Sequence, residues 1–375
     1  MCEKILVTDG NYRHTIALAR AISCDREVHV GSERPGACAF YSRFTRGAMI
    51  YDTRSPELFA ESLNQYINCR EIDALIPVGD QSCFYASMMK DRIEAVVPVA
   101  RYETMLIARD KVKMTERARE LGFNVPEVIR TPDRFPVVCK GVTGRGMLRF
   151  ANDEIEFENA KRFFISRGIP YFTTEYVDGT QNFSYAALVQ DGRVRAFFMY
   201  KEIREYPLTG GVASFAISTY DSDVASRCQR LLEDLEWNGV AMAEFKVNSQ
   251  GKLYFMEVNP KFWASLELAI ASGVNFPLLL LKMIEGEHIV QPKYQLGLKF
   301  RWLLEDLLSF FSAPGRSFMT SLLERSLVDV HLDDLPAHIL RPFTEFRSST
   351  RGTKRGFKLG YPYGIPAIRR QSAVS

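Results

Sequence analysis

The alternation of apolar and polar positions changes period in a regular way along this chain. "KILVTDG" is a short apolar run ending in Asp-Gly, "YRHTIALARAIS" has helical spacing, and "EVHVGS" is a second short run. Strand, helix, strand in about thirty residues predicts the βαβ unit of a parallel sheet. A helical stretch, "PELFAESLNQYINC", then leads into "DALIPVGD", a buried strand ending in a turn. Residues 1–105 are therefore expected to form an open α/β domain. Ligands of such sheets sit at the carboxyl ends of the strands, which here carry Asp9-Gly10 and Gly79-Asp80.

The pattern then shifts. "DKVKMTERARELG" reads as a helix closing on Gly122, and "FPVVCKGVTGRGMLRF" as strand, glycine-rich loop, strand. "YFTTEYVDG" and "SYAALVQDGRVRAFFMYKEI" alternate with period two, which predicts antiparallel strands and tight turns. "SDVASRCQRLLEDLEW" is an amphipathic helix, and "GVAMAEFKVNSQGKLYFMEVNP" a hairpin with "NSQG" at its tip. Beyond residue 300, "RWLLEDLLSFF" and "FMTSLLERSLVDV" suggest two helices ahead of a tail punctuated by Gly and Pro. Expected boundaries are 1–105, 106–190, 191–300 and 301–375.

Composition narrows the class. A chain of 375 residues with 46% hydrophobic and 25% charged residues reads as an ordinary globular protein of several domains. Its net charge of +3 does not suit a nucleic-acid binder, but the charge is uneven. From Arg341 to Arg370 eight Lys/Arg face one acid, Glu345, so that segment is +7 and the rest −4. The basic segment is interleaved with aromatics and could contact RNA, acidic lipid or its own acidic body; the last is the simplest expectation. Seven scattered cysteines without a CxxC pair point to free thiols and a reducing, cytoplasmic compartment. The N-terminal run has no signal-peptide character, and "FPLLLLKMI" is too short to span a membrane. The five histidines, 14, 29, 288, 331 and 338, show no metal spacing.

The chemistry is concentrated in "YFMEVNPKFW". Residues two apart in a strand share a face, so Glu257 and Asn259 point the same way. If the hairpin pairs Val247 with Lys252, Glu244 lies opposite Phe255 and diagonal to Glu257. Two nearby carboxylates repel unless a cation lies between them, and hard oxygen donors at this density suit Mg²⁺. The plain alternative is a solvated sheet face with alternating acids. Earlier in the chain, "VVCKGVTGRGM" sets Lys140 at a strand end, before Gly141, Gly144 and Gly146. Glycines let backbone N–H groups turn towards an anion, and lysine supplies a point charge for phosphate. No Gly-Lys-Ser/Thr opens a helix, so this is not a Walker A loop. Lys111 starts a helix, and Glu175 precedes an apolar backbone stretch.

The order of these motifs resembles the ATP-grasp superfamily over residues 1–300, and within it the carboxylate–amine ligase branch. The resemblance implies an α/β and α+β protein: a pre-grasp open parallel α/β domain, then a two-lobed ATP-grasp fold, with a helical and basic C-terminal extension. It assigns Lys111 and Lys140 to ATP, and the loop Gly141 to Met147, with Gly144, Arg145 and Gly146, to covering the phosphates. Glu175, Tyr176 and Val177 would meet adenine, and Glu244, Glu257 and Asn259 would bind metal, with Lys261 after the Asn-Pro. Two departures stand out. Asn182 occupies the place of the acid that binds ribose, and Lys261 replaces a common arginine, losing its bidentate fork.

In activity, the resemblance implies a ligase working through an acyl phosphate, with two Mg²⁺ ions (Mn²⁺ as the alternative). Arg204, in "EIREYPLTGG", is the candidate for holding the acyl phosphate or tetrahedral oxyanion. Closure of the loop around Arg145 would keep water from the intermediate. The partners implied are a small-molecule carboxylate and an amine, and by family habit a second copy of the chain. Other readings are an ATP-grasp ligase with a thiol nucleophile or carbamoyl/carboxyphosphate chemistry, and a nucleotide-binding regulator without turnover.

Overall fold

A computed structural model of the chain describes residues 2–143, 147–179, 181–207, 211–312 and 324–341. Strands β1 (Lys4–Val7), β2 (Glu27–Ser32), β3 (Gly47–Ile50) and β4 (Ala74–Ile76) form a parallel sheet in the order β3-β2-β1-β4. Helices α1 (Arg13–Ile22), α2 (Pro56–Arg70) and α3 (Asp80–Met88) connect or follow them. β3 was not separable in the sequence, because "GAMI" is four residues long and lies half exposed. The strand order reverses between β1 and β4, and there Asp9 joins the two carboxyl ends. Its carboxylate accepts hydrogen bonds from Gly79 N at 2.7 Å, from Ser82 Oγ at 3.1 Å and from Thr8 Oγ1. Asp9 itself sits at φ 61°, a left-handed conformation costly for a side chain, and these bonds hold it there.

Helices α4 (Tyr102–Arg109) and α5 (Lys111–Glu120) lead to a three-stranded antiparallel sheet. Its strands are β5 (Val137–Gly141), β6 (Leu148–Ala151) and β7 (Tyr171–Glu175), in the order β6-β5-β7, with α6 (Glu154–Ile165) on one face. Val137, Cys139, Ala151, Phe157 and Phe164 form its core, so the alternate positions Val138 and Lys140 face the other way.

The largest sheet has the order β12-β11-β8-β9-β10-β13-β14. Its strands are β8 (Gln181–Gln190), β9 (Arg193–Tyr206), β10 (Val212–Thr219), β11 (Gly239–Val247), β12 (Leu253–Asn259), β13 (Lys299–Arg301) and β14 (Leu327–Val328). One face packs against α7 (Ser222–Asp234) through Ala187, Met199, Phe245, Leu231 and Trp237. The other, with Ala186, Leu188, Phe198 and Met242, packs against α8 (Leu266–Ser272), α9 (Phe276–Ile284) and residues of α1. Helix α10 (Leu303–Ser312) lies against β9 and β10. α8 and α9 meet at 86° and are buried core helices; no single helix among the described residues is long and apolar enough to cross a membrane.

Three expectations need correction. The boundary at 190 falls after β8, yet β8 pairs with β9 and β11 and belongs to the large sheet. The extension from 301 begins inside that sheet too, since β13 pairs with β10. Of the second helix expected over "FMTSLLERSLVDV", the described part is not helical. Leu327–Val328 is a strand parallel to β13, and Asp329 anchors it by accepting from Leu303 N at 2.9 Å and from Arg341 at 2.8 Å. Of the basic segment only Arg341 lies within the described residues.

A Cβ on Gly79 would be driven into the Asp9 carboxylate, which is already fixed by its own hydrogen bonds. Gly79→Ala should therefore destabilise the protein by about 1–3 kcal/mol through overpacking. Urea unfolding reads this directly, and an unchanged midpoint would mean that the crevice relaxes.

Candidate functional site

The floor of the site is built by one face of the large sheet. Across strands, Glu244 lies directly opposite Glu257 on β12 and opposite Ser184 on β8, and Ser184 opposite Tyr200 on β9. Nearer the start of β8, Lys246 lies opposite Asn182; deeper in, Met242 lies opposite Asn259 and Ala186. Directly opposed residues share a face. This face thus runs from apolar (Leu188, Ala186, Phe198) to charged along the same period-two positions.

The hairpin register differs from the simple expectation. Val247 pairs with Leu253, and a bulge at Met256 brings Glu257, not Phe255, opposite Glu244. The extra residue at the tip has a local cause: the Asn248 carboxamide oxygen accepts from Gln250 N at 3.1 Å and Lys252 N at 2.8 Å, closing a longer turn. The two shifts move the carboxylates from a diagonal to a face-to-face placement.

Lysines from three other places meet this acidic row. Asp110 caps α5, accepting from Val112 N and Lys113 N, and so sets Lys111 at the first turn. Lys111 Nζ reaches Glu257 Oε2 at 2.5 Å, and its backbone N–H bonds to Val142 O in the small sheet's loop. Lys140 projects from β5. Burial, with Lys111 and Lys246 nearby, pushes its ammonium down to about 8, although Glu257 opposes the shift. Lys261, after the β12 strand, is buried. Burial alone would raise the Glu257 carboxyl, but Lys111, Lys140 and Lys261 together hold it below the ordinary carboxylate range.

A linker joins the two sheets at 176–179. Val177 is buried, and the Tyr176 ring meets Phe150 edge-on at 5.9 Å with Lys246 5.5 Å from its centre. Asp178 fastens the linker to the hairpin tip, accepting from Ser249 N at 2.7 Å and Ser249 Oγ at 2.5 Å. Gly179 passes so close to Val247 O that no side chain would fit. The Glu175 carboxylate accepts from Glu127 N at 3.0 Å, which engages that side chain with the preceding segment. Asn182 donates to Glu202 at 3.0 Å and Glu205 at 3.1 Å. Those acids were not singled out in the sequence; they stand three apart on β9, so alternation alone does not put both on one face, and their shared contact with Asn182 is a tertiary result. Burial, opposed by the Asn182 hydrogen bond and reinforced by Glu244 and Glu205, pushes Glu202 up to about 8.

Arg204 is on β9, forked onto Asp306 of α10. Gly141 ends β5; Gly144, Arg145 and Gly146 lie outside the described residues. Among the described residues no three His, Cys, Asp or Glu side chains gather closely enough to hold an ion alone. The donor set here is different in kind: two opposed carboxylates and the Asn259 carboxamide, with an ammonium lodged against Glu257. It fits a hard cation that completes its shell from water and phosphate.

Part of the chain also matches known proteins. Residues 183–305 match a family described as ATP-grasp in the biosynthetic pathway with Ter operon. The chain has the ATP-grasp fold. Among similar solved structures is the biotin carboxylase domain of the Hydrogenobacter thermophilus 2-oxoglutarate carboxylase, a dimer in complex with MgADP, ADP and bicarbonate. It is 14% identical with a TM-score of 0.64, over 79% of this chain and 73% of that one. N5-carboxyaminoimidazole synthetase from Staphylococcus aureus is 13% identical with a TM-score of 0.62, over 78% and 80%. The L-amino acid ligase from Bacillus licheniformis is 14% identical with a TM-score of 0.58, over 75% and 73%. No curated protein matches the chain in sequence. In ATP-grasp terms the three-stranded sheet is the small lobe and the seven-stranded sheet the large one.

The depressed Lys140 ammonium has a direct chemical consequence. At pH 8 about half of it is unprotonated, against about 0.4% of an ordinary lysine. An amine-selective acylating reagent, followed by peptide mass spectrometry, should modify Lys140 at a rate that levels off just above pH 8. A rate that climbs to pH 10 with the exposed lysines would show that this ammonium is not desolvated.

Proposed function

We propose that this ATP-grasp chain is an ADP-forming ligase that activates a substrate carboxylate as an acyl phosphate and couples it to an amine. The observation that carries this reading is the face-to-face pair Glu244 and Glu257 under Lys111 and Lys140. Two opposed carboxylates with ammonium groups beside them suit a metal-bound anion, which a binding surface for neutral ligands would not need.

In this reading the triphosphate lies between the floor and the small lobe. Mg²⁺, when bound, neutralises the triphosphate charge and polarises the phosphoryl group. Glu244, Glu257 and Asn259 would hold it, and Lys111 would exchange Glu257 for a phosphate oxygen. Lys140 contacts the same oxygens, and its lowered proton affinity is restored by the incoming negative charge. The backbone of Glu175, Tyr176 and Val177 lines the base, with Phe150 beside it, and Asn182 with its two acids borders the sugar. The substrate carboxylate attacks the γ-phosphorus and ADP leaves; the amine then attacks the acyl carbon, phosphate leaves, and the nitrogen gives up a proton. Phosphoryl transfer of this kind depends on positioning and charge, which is what these residues supply. Lys261 and Arg204 would steady the acyl phosphate, and the loop with Arg145 would exclude water.

A second reading keeps the first half-reaction and changes the carboxylate. Two of the similar structures are a carboxylase domain and a carboxyaminoimidazole synthetase, so bicarbonate giving carboxyphosphate is the natural variant.

Mg·ATP offered with amino-acid pools, with bicarbonate, and with both should release ADP in at least one mixture, read by a coupled assay. Nucleotide binding without ADP in any of them would favour a regulator. Glu257→Gln should keep the wild-type circular dichroism spectrum yet lower ADP formation at least about a hundredfold, as loss of a transition-state charge contact does. An active Glu257→Gln protein would refute the metal assignment.

A further inference from the structure

Helix α10 begins with two adjacent acids that are almost wholly inaccessible, Glu305 and Asp306. Arginines from four separate segments converge on them. Arg204 of β9 forks onto Asp306, Nε to Oδ1 at 2.8 Å and Nη2 to Oδ2 at 3.0 Å. Arg301 of β13 donates to Asp306 Oδ2, and Ser214 of β10 donates to Oδ1 at 3.2 Å. Glu305 meets Arg13 of α1 at 3.1 Å and Arg341 at 2.9 Å. The Phe215 ring packs against both Arg204 and Arg301, 4.6 and 4.3 Å from its centre.

This cluster borders the floor of the site. Arg204 is two residues from Glu202 on β9, and the Arg13 charge reaches Glu202 and lowers its proton affinity. A buried network of this size is a poor way to gain stability, because apolar side chains of the same volume would usually do as well. What a network gives instead is geometry. A planar guanidinium held at two nitrogens by a carboxylate that is itself held by two further donors cannot rotate about its long stem. The entropy of ordering Arg204 is then met on folding rather than at substrate binding.

We propose that Asp306 is the positioning residue for Arg204, fixing its guanidinium at the edge of the floor where the transferred phosphoryl group arrives. Arg301 and Ser214 keep Asp306 itself in place. The proposal rests on the ligase reading above, and it extends the site to Asp306 of α10, one residue beyond the segment that matches the family.

The experiment uses the full-length protein and inorganic phosphate as probe. Titration calorimetry first measures Mg·ADP, then phosphate added to the Mg·ADP complex, for wild type, Asp306→Asn, Ser214→Ala and Arg204→Lys. Asp306→Asn and Arg204→Lys should each weaken phosphate at least about tenfold, the size of a lost charge-assisted fork, with ADP affinity within about twofold. Ser214→Ala removes one hydrogen bond from Asp306 and should weaken phosphate about threefold, which keeps the test available if Asp306→Asn does not fold. Unchanged phosphate affinity in Asp306→Asn, or in Ser214→Ala where that is the folded variant, would overturn the proposal. So would a wild-type Mg·ADP complex that takes up no phosphate. A wild type that binds no Mg·ADP would instead sink the ligase reading, and this inference with it.

Discussion

Two carboxylates held face to face on adjoining strands need positive charge, and much of this architecture serves that need. Glu244 and Glu257 are separated by a single strand spacing, and neither can turn away without leaving the sheet face. The cations that answer them come from unrelated places: Lys111 at a helix start, Lys140 on the small lobe, Lys261 after the last strand of the floor. Bringing them together requires that the small lobe sit above the large sheet. The Asp178–Ser249 contacts and the tight passage of Gly179 past Val247 fasten the linker between them.

The same face of the large sheet does two jobs along its length. Near Leu188, Ala186 and Phe198 it is core, covered by α8, α9 and part of α1. Two residues further along each strand it becomes Ser184, Glu244 and Glu257, and then Asn182, Lys246 and Glu202. The buried half supplies the apolar contact that keeps the strands in register while the charged half stays under electrostatic tension. Burial, more than the neighbouring charges, weakens the Lys140 ammonium that faces this half and makes the Glu202 carboxyl resist ionisation.

Beyond β9 the pattern repeats with arginines in place of lysines. Acids on α10 are enclosed by arginines, and the partners again come from distant segments: α1, β9, β13 and the stretch ending at Arg341. The acidic row under lysines and the acidic pair within arginines lie at neighbouring parts of one surface. Lys111 and Arg204 are thereby each fixed by an opposite charge already in place.

Local features were legible in the sequence. Strand alternation put Glu257 and Asn259 on one face, the glycine-rich turn marked Lys140, and the helix start marked Lys111, because each depends on a few neighbouring residues. Resemblance of motif order then led to the ATP-grasp fold. Tertiary structure decided the rest. The hairpin register depended on an Asn248 side-chain turn and a bulge at Met256, each worth one residue and neither visible as a change of period. The allotment of "SYAALVQ" and "KFR" to the large sheet depended on which edges were open to pairing. The partners of Asn182 and Arg204 are 20 to 102 residues away in sequence, and only packing could bring them into contact. Alternation says which way a side chain points; what it meets there is settled by long-range contacts that no short stretch of chain contains.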